Sequence, residues 1–228
     1  MLMNMLNSHP SIHCNSDLLT RDIEERGEEW AYAEGFRLPP KYPERSPLPQ
    51  GKRPEWVGFL IKMKQDLHQT IRKRSGLKIL LLYRRNRLAT LLSRNVTHRL
   101  HPYVETDTDV CLNEAIRSRG ELPVMRIESE EAEAFFEEWS AKTDEVICCL
   151  EGTDWLQVYY EDLCRDPQTA MRPVYEHLGV PFHRVQSTPG WGAAKLDPRP
   201  LCEAIENYEE LKAYFAGTRW DGFFAEQP

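Results

Sequence analysis

Lys78-Ile-Leu-Leu-Leu-Tyr-Arg-Arg-Asn-Arg-Leu-Ala-Thr-Leu-Leu-Ser-Arg94 joins two periodicities within one short stretch. The unbroken apolar run from Ile79 to Tyr83 has the composition of a strand covered on both faces, as in a parallel sheet, where neither side meets water. From Leu88 the apolar residues fall at helical spacing, with Leu88, Leu91 and Leu92 on one side. Arg84, Arg85, Asn86 and Arg87 stand at the change-over. Open parallel sheets bind ligands at such a place, beyond the carboxyl end of a strand and beside a helix start whose N–H groups favour an anion. Three arginines there point to a phosphate.

The charge pattern supports that reading. The 228 residues carry a formal net charge of -7 and a pI near 5.6. Yet the stretch from Leu67 to Val104 holds no Asp or Glu, while Arg72, Lys73, Arg74, Lys78, Arg84, Arg85, Arg87, Arg94 and Arg99 all fall inside it. Positive charge concentrated in an acidic chain builds a local field suited to a small polyanion. General nucleic-acid binding asks for a wider basic face and is not expected. Arg72 to Arg74 read as solvated surface, whereas Arg85, directly behind a buried strand, reads as a ligand.

The length suits one α/β domain over residues 1–228. No stretch approaches the roughly 20 apolar residues that span a membrane, and the start, Met1 to Asn7, lacks the basic flank of a secretory leader. The cysteines (Cys14, Cys111, Cys148, Cys149, Cys164 and Cys202) include no C-x-x-C pair, and the histidines show no metal-ligand spacing. Free thiols, no metal site and a reducing, cytoplasmic setting are expected. Cys148 and Cys149, in the apolar run Val146 to Leu150, read as buried small hydrophobes.

Along the chain, Met1 to Leu6 is helix-compatible and ends at Ser8-His9-Pro10. Ser11 to Leu19 is extended or turning, and Asp22 to Ala33 reads as a charged helix. Residues 38–54 carry six prolines and form a surface loop able to lie over a pocket. A strand is expected over Glu55–Ile61, helices over Lys64–Arg74, Leu88–Arg99 and Glu128–Lys142, and a strand over Trp155–Tyr160. Pro167–Leu178 reads as a helix that Pro173 kinks or starts, and a last helix spans Pro200–Phe215. Strands separated by helices imply parallel pairing with right-handed crossovers.

Several of these stretches resemble the sulfotransferases that use 3′-phosphoadenosine 5′-phosphosulfate (PAPS). Arg85-Asn-Arg-Leu-Ala-Thr-Leu-Leu-Ser93 is similar to that family's 3′-phosphate motif. Val158-Tyr-Tyr-Glu-Asp-Leu163, Arg165-Asp-Pro167 and His177-Leu-Gly-Val-Pro181 resemble a second recurring stretch. Ala204-Ile-Glu-Asn-Tyr-Glu-Glu-Leu211 with Gly217-Thr218 is similar to the C-terminal end of many bacterial members, and Leu6-Asn-Ser-His-Pro10 to the segment after the family's first helix. The motifs follow the family's order over nearly the whole chain. The resemblance implies a P-loop NTPase-like three-layer sandwich, a central parallel sheet flanked by helices. Met1 falls within the family's first helix, so the first strand and its phosphosulfate loop are expected to be missing, through a start assigned too far downstream or a genuine truncation.

By the same resemblance, Arg85 and Ser93 would bind the 3′-phosphate, with Arg84 and Arg87 supplying the surrounding field. Lys195, in Gly192-Ala-Ala-Lys-Leu, would lie near the nucleotide. Asp17, after Ser16, occupies the place of the family's acidic base; the other reading of Asp17 is a cap or turn before the next helix. His9 could face the sulfuryl group. Glu161-Asp162 reads as a helix-start feature. The implied reaction moves a sulfuryl group from PAPS to a hydroxyl or amine of a carbohydrate, lipid or small metabolite, releasing 3′-phosphoadenosine 5′-phosphate (PAP). The alternatives are a truncated, non-catalytic relative that keeps partial PAP binding and, more weakly, a nucleotide kinase, against which the lack of a G-x-x-x-x-G-K-[ST] motif counts.

Overall fold

The structure, a computed structural model, describes residues 2–15, 54–59, 76–100, 122–185 and 199–225. Asp17, Lys195, residues 38–53 and the helices expected over Asp22–Ala33 and Lys64–Arg74 lie outside the described residues. The elements in chain order are α1 (Leu2–Asn7), β1 (Ile12–Asn15), β2 (Trp56–Phe59), β3 (Lys78–Tyr83), α2 (Arg87–Leu100), α3 (Ser129–Leu150), β4 (Asp154–Tyr159), α4 (Tyr160–Arg165), α5 (Pro167–Leu178), α6 (Leu201–Ala204) and α7 (Tyr208–Phe215), followed by a 3-10 turn at Asp221–Phe224. This is an α/β fold with parallel strand pairing, as expected. The chain gathers into two compact units, residues 1–83 with 144–189 and residues 84–143 with 190–228.

In the first unit, β1 pairs with β2 from Ile12↔Trp56 to Asn15↔Phe59, and β3 pairs with β4 from Lys78↔Asp154 to Tyr83↔Tyr159. Side chains of β3 alternate between two apolar layers. Leu80 and Leu82 pack into a cluster with Ile12, Val158, Leu2 and Leu6 of α1, and Met171 and Val174 of α5. Ile79 and Leu81 pack with Val146 and Leu150 of α3 and with Trp155. Burial on both faces explains why the strand reads as a continuous apolar run rather than an alternating one.

Helix α5 owes its limits to residues that carry the family resemblance. Asp166 accepts hydrogen bonds from the Gln168 and Thr169 amides, and Pro167 fills the first helical position, where no N–H is needed. At the other end Gly179 takes φ 72°. The Gly179 amide bonds to the Glu176 carbonyl and the Val180 amide to the Tyr175 carbonyl, the left-handed stop that glycine allows without a steric penalty. Asp-Pro and His-Leu-Gly-Val therefore act as the two ends of one helix. Pro173 lies inside this helix and does not start it.

The second unit is built on α2, the first part of α3, α7 and the 3-10 turn. Leu88, Leu91, Leu92, Phe135, Phe136, Leu211 and Phe215 are buried together. Phe136 sits 5.4 Å from Phe215, 5.6 Å from Trp220 and 5.0 Å from Phe223, between ring centroids.

The structure departs from three expectations. The helix expected to end at Lys142 runs to Leu150. Val146 and Leu150, four residues apart, face β3, so Cys148 between them points away and is exposed, and Cys149 is only half-buried. The helix expected over Pro200–Phe215 is broken, because Ile205 leaves α6 to form a parallel bridge with Met125. The Met125 amide donates to the Ala204 carbonyl and the Glu206 amide to the Met125 carbonyl.

Candidate anion site at the start of α2

Arg84, Arg85 and Asn86 link β3 to α2. Asn86 caps the helix: its Oδ1 accepts from the Ala89 amide at 2.9 Å, and its carbonyl accepts the Thr90 amide at 3.3 Å and the Thr90 hydroxyl at 3.1 Å. Its Nδ2 donates to the Phe223 carbonyl at 2.9 Å, and the residue is 1% exposed. The first turn of α2 contains no Asp or Glu, so the positive end of the helix is not offset by a carboxylate of its own first turn. Arg85, immediately before the cap, is exposed. An exposed guanidinium at an N-terminal helix end suits an anion, through charge-assisted hydrogen bonds and the helix dipole together.

The three arginines separate into different roles. Arg84 is half-buried. Arg87 is 3% exposed; its Nη2 donates to the Thr143 hydroxyl at 2.8 Å, and its guanidinium carbon lies 5.7 Å from the Trp139 ring centroid. Arg87, expected to supply only surrounding field, is thus buried against α3 through Thr143 and Trp139. Arg94 is likewise committed: it donates to Glu131 at 2.9 Å and lies 4.6 Å from the Phe135 ring centroid.

Ser93 is half-buried, two helical turns after the cap. Seven residues make nearly two full turns, at about 3.6 residues each, so Ser93 and Asn86 share a face of α2. Ser93 is therefore carried by α2 itself and Arg85 by the residue that precedes its cap. Asn86 was not singled out from the sequence, although Asn three residues before an amide that needs a partner is a strong cap signal.

His9 belongs to the other unit. The Ser11 amide donates to its Nδ1 at 3.0 Å, so the proton lies on Nε2, which donates to the Pro181 carbonyl at 2.9 Å. The ring is 2% exposed and stands 5.0 Å from Tyr175 and 5.3 Å from His183, between centroids. Glu161 and Asp162 lie in the first turn of α4, as expected. A cavity of about 470 Å³ in the first unit, lined by Leu156 and Val158 of β4 with Asp162, Asp166, Pro173 and Val174, contains none of the expected site residues.

The chain is similar to proteins named Nodulation protein H. It is 25% identical over 234 residues to that of Rhizobium tropici, a match covering 96% of this chain and 86% of the relative. It is 24% identical over 229 residues to that of Rhizobium meliloti, covering 98% of this chain and 89% of the relative. No family model and no solved structure matches. The similarity spans both units, so it includes the α2 site and the capped α5 helix alike. Among the described residues, no helix is long and apolar enough to cross a membrane.

Proposed function

We propose that the protein is a sulfotransferase drawing its sulfuryl group from PAPS, with Arg85 and Ser93 holding the 3′-phosphate of the nucleotide. The observation that carries this reading is the exposed Arg85 beside the Asn86-capped, carboxylate-free start of α2, with Ser93 two turns along the same helix. Similarity over nearly the full chain to the proteins named Nodulation protein H stands beside the motif resemblance to the sulfotransferases, which supports the reaction class.

The residues fit an anionic nucleotide. Arg85 offers a planar fork that can engage two oxygens of one phosphate, and Ser93 offers a neutral hydroxyl. Bound PAPS would supply the sulfuryl group, whose bond to the phosphate oxygen breaks as a bond to an acceptor oxygen or nitrogen forms. The protein's task in such a transfer is positioning and stabilisation of charge on the leaving phosphate. Asp17 is the proposed base for the acceptor's proton, and Lys195 a further cation toward the nucleotide; both rest on the resemblance. The acceptor class is a hydroxyl or amine of a carbohydrate, lipid or small metabolite.

Thermal unfolding of the full chain with and without PAP tests the nucleotide assignment. A ligand at about 100 times its Kd stabilises by roughly 2.7 kcal/mol, which raises Tm measurably. A Tm that millimolar PAP leaves unmoved would remove the assignment. Sulfuryl transfer from labelled PAPS then separates the enzyme from a non-catalytic PAP binder.

A further inference from the structure

We infer that Asn86 is a positioning residue for the anion site, acting through the carbonyl of Phe223; this rests on the assignment of Arg85 and Ser93 to a 3′-phosphate. Both ends of the Asn86 amide are in use. Oδ1 accepts from the Ala89 amide at 2.9 Å, and Nδ2 donates to the Phe223 carbonyl, 137 residues away, at 2.9 Å. An N–H partner on one side and a C=O on the other fix which end is oxygen and which is nitrogen.

Capping alone does not require this arrangement. Ser, Thr or Asp satisfies a helix start about as well. Asp cannot donate to a carbonyl, and a hydroxyl on Cβ lacks the second arm that reaches outward. The additional donor ties the first turn of α2 to a backbone group that is itself held firmly. Phe223 packs 5.0 Å from Phe136 and 5.6 Å from Trp220, between ring centroids, and the turn around it belongs to the buried aromatic cluster of the second unit.

The tether fixes how the first turn is rotated. Arg85 leaves the chain one residue before Asn86, and Ser93 shares the Asn86 face. A phosphate can meet both only if the turn keeps its angle, because two-point recognition tolerates displacements of only about 0.5 Å. Residues of the 3-10 turn thus shape the site without touching the ligand.

The test uses the full chain with PAP as probe. Kd is measured for wild type, Asn86→Ser and Arg85→Ala at a temperature well below each variant's own Tm, where every chain is folded. Asn86→Ser keeps a capping hydroxyl and loses the tether; PAP binding is expected to weaken about tenfold, the scale of one well-placed hydrogen bond. A purely structural role lowers Tm and leaves Kd of the folded chain within about twofold, and that result overturns the inference. If Arg85→Ala also leaves Kd unchanged, the phosphate reading itself fails, and the inference with it. Should Asn86→Ser not fold, Asn86→Thr, which also keeps a capping hydroxyl and lacks the outward donor, provides the same comparison.

Discussion

His9 donates through Nε2 to the carbonyl of Pro181 at 2.9 Å, joining the turn after α1 to the segment that leaves α5. With Nδ1 accepting from Ser11 and the ring buried, both nitrogens are used in holding the first unit together. His9→Ala strands a carbonyl and an amide and opens a cavity, so a loss of about 2–4 kcal/mol in urea unfolding is expected. A loss below about 0.5 kcal/mol together with abolished sulfuryl transfer would instead give the imidazole a chemical role.

Arg85 and Ser93 differ in the strength of the bond each can offer a phosphate. Charge-assisted hydrogen bonds are roughly twice as strong as neutral ones. Arg85→Ala is expected to weaken PAP binding by about tenfold to a hundredfold, and Ser93→Ala by about threefold to tenfold, by titration calorimetry. Since Arg85 is exposed and Ser93 only half-buried, neither change should move Tm by more than a degree or two. Equal and negligible effects on Kd would dismiss the pair as ligands.

The part of this site that could be read in advance is the part encoded locally. The apolar run of β3 and the Leu88, Leu91, Leu92 spacing of α2 are periodic signals, and the structure has both elements within a residue of their expected limits. The capping half of Asn86's role is signalled locally, whereas its bond to Phe223 is announced by no local pattern. Arg87 looked like its neighbours in sequence, and only the position of Thr143 and Trp139 separates a buried cation from an exposed one. Cys148 and Cys149 differ from expectation because an apolar run of five residues does not show which of its positions a helix turns toward the core. The break at Ile205 depends on Met125, which is eighty residues earlier.

Two histidines give the fold a pH dependence of definite sign. Burial holds His177 below the ordinary histidine value, with Asp154 working against it and Lys78 with it. Burial and the neighbouring His9 hold His183 low as well. The unfolded chain therefore binds protons first, so these contributions are complete above about pH 6.5 and are lost as pH falls through the lower folded-state values. Acidification also shrinks the net charge of -7, which acts in the opposite direction. The readout is accordingly the difference between wild type and His177→Gln in urea unfolding. The variant should lose less stability than wild type between pH 7 and pH 5, and parallel curves would refute the assignment.

The two ends of α5 should contribute separately. Asp166→Ala removes the acceptor of the Gln168 and Thr169 amides and is expected to cost about 1 kcal/mol. Gly179→Ala meets no atom within 4 Å of its new Cβ, so its cost is that of a left-handed backbone alone, about 1–2 kcal/mol. The sites lie at opposite ends of a three-turn helix and share no partner, so the double variant should show the sum within about 0.5 kcal/mol. A marked departure would mean that α5 frays as a unit once either cap is gone.

The cysteines should react in an order set by exposure. Cys148 and Cys202 are exposed. Burial pushes the Cys14 thiol up to about 12, where almost no thiolate exists at pH 8 and the nucleophile is missing. Cys14 pairs across the strands with Gly58, and its sulfur lies 3.7 Å from where a Cβ on Gly58 would stand. Iodoacetamide at pH 8, followed by peptide mass mapping, should label Cys148 and Cys202 early and Cys14 only when urea unfolds the chain. Gly58→Ala, which sets a methyl group against that sulfur, should slow any residual labelling of Cys14 further. Early labelling of Cys14 in the native protein would show that the β1–β2 pair opens well below the global unfolding transition.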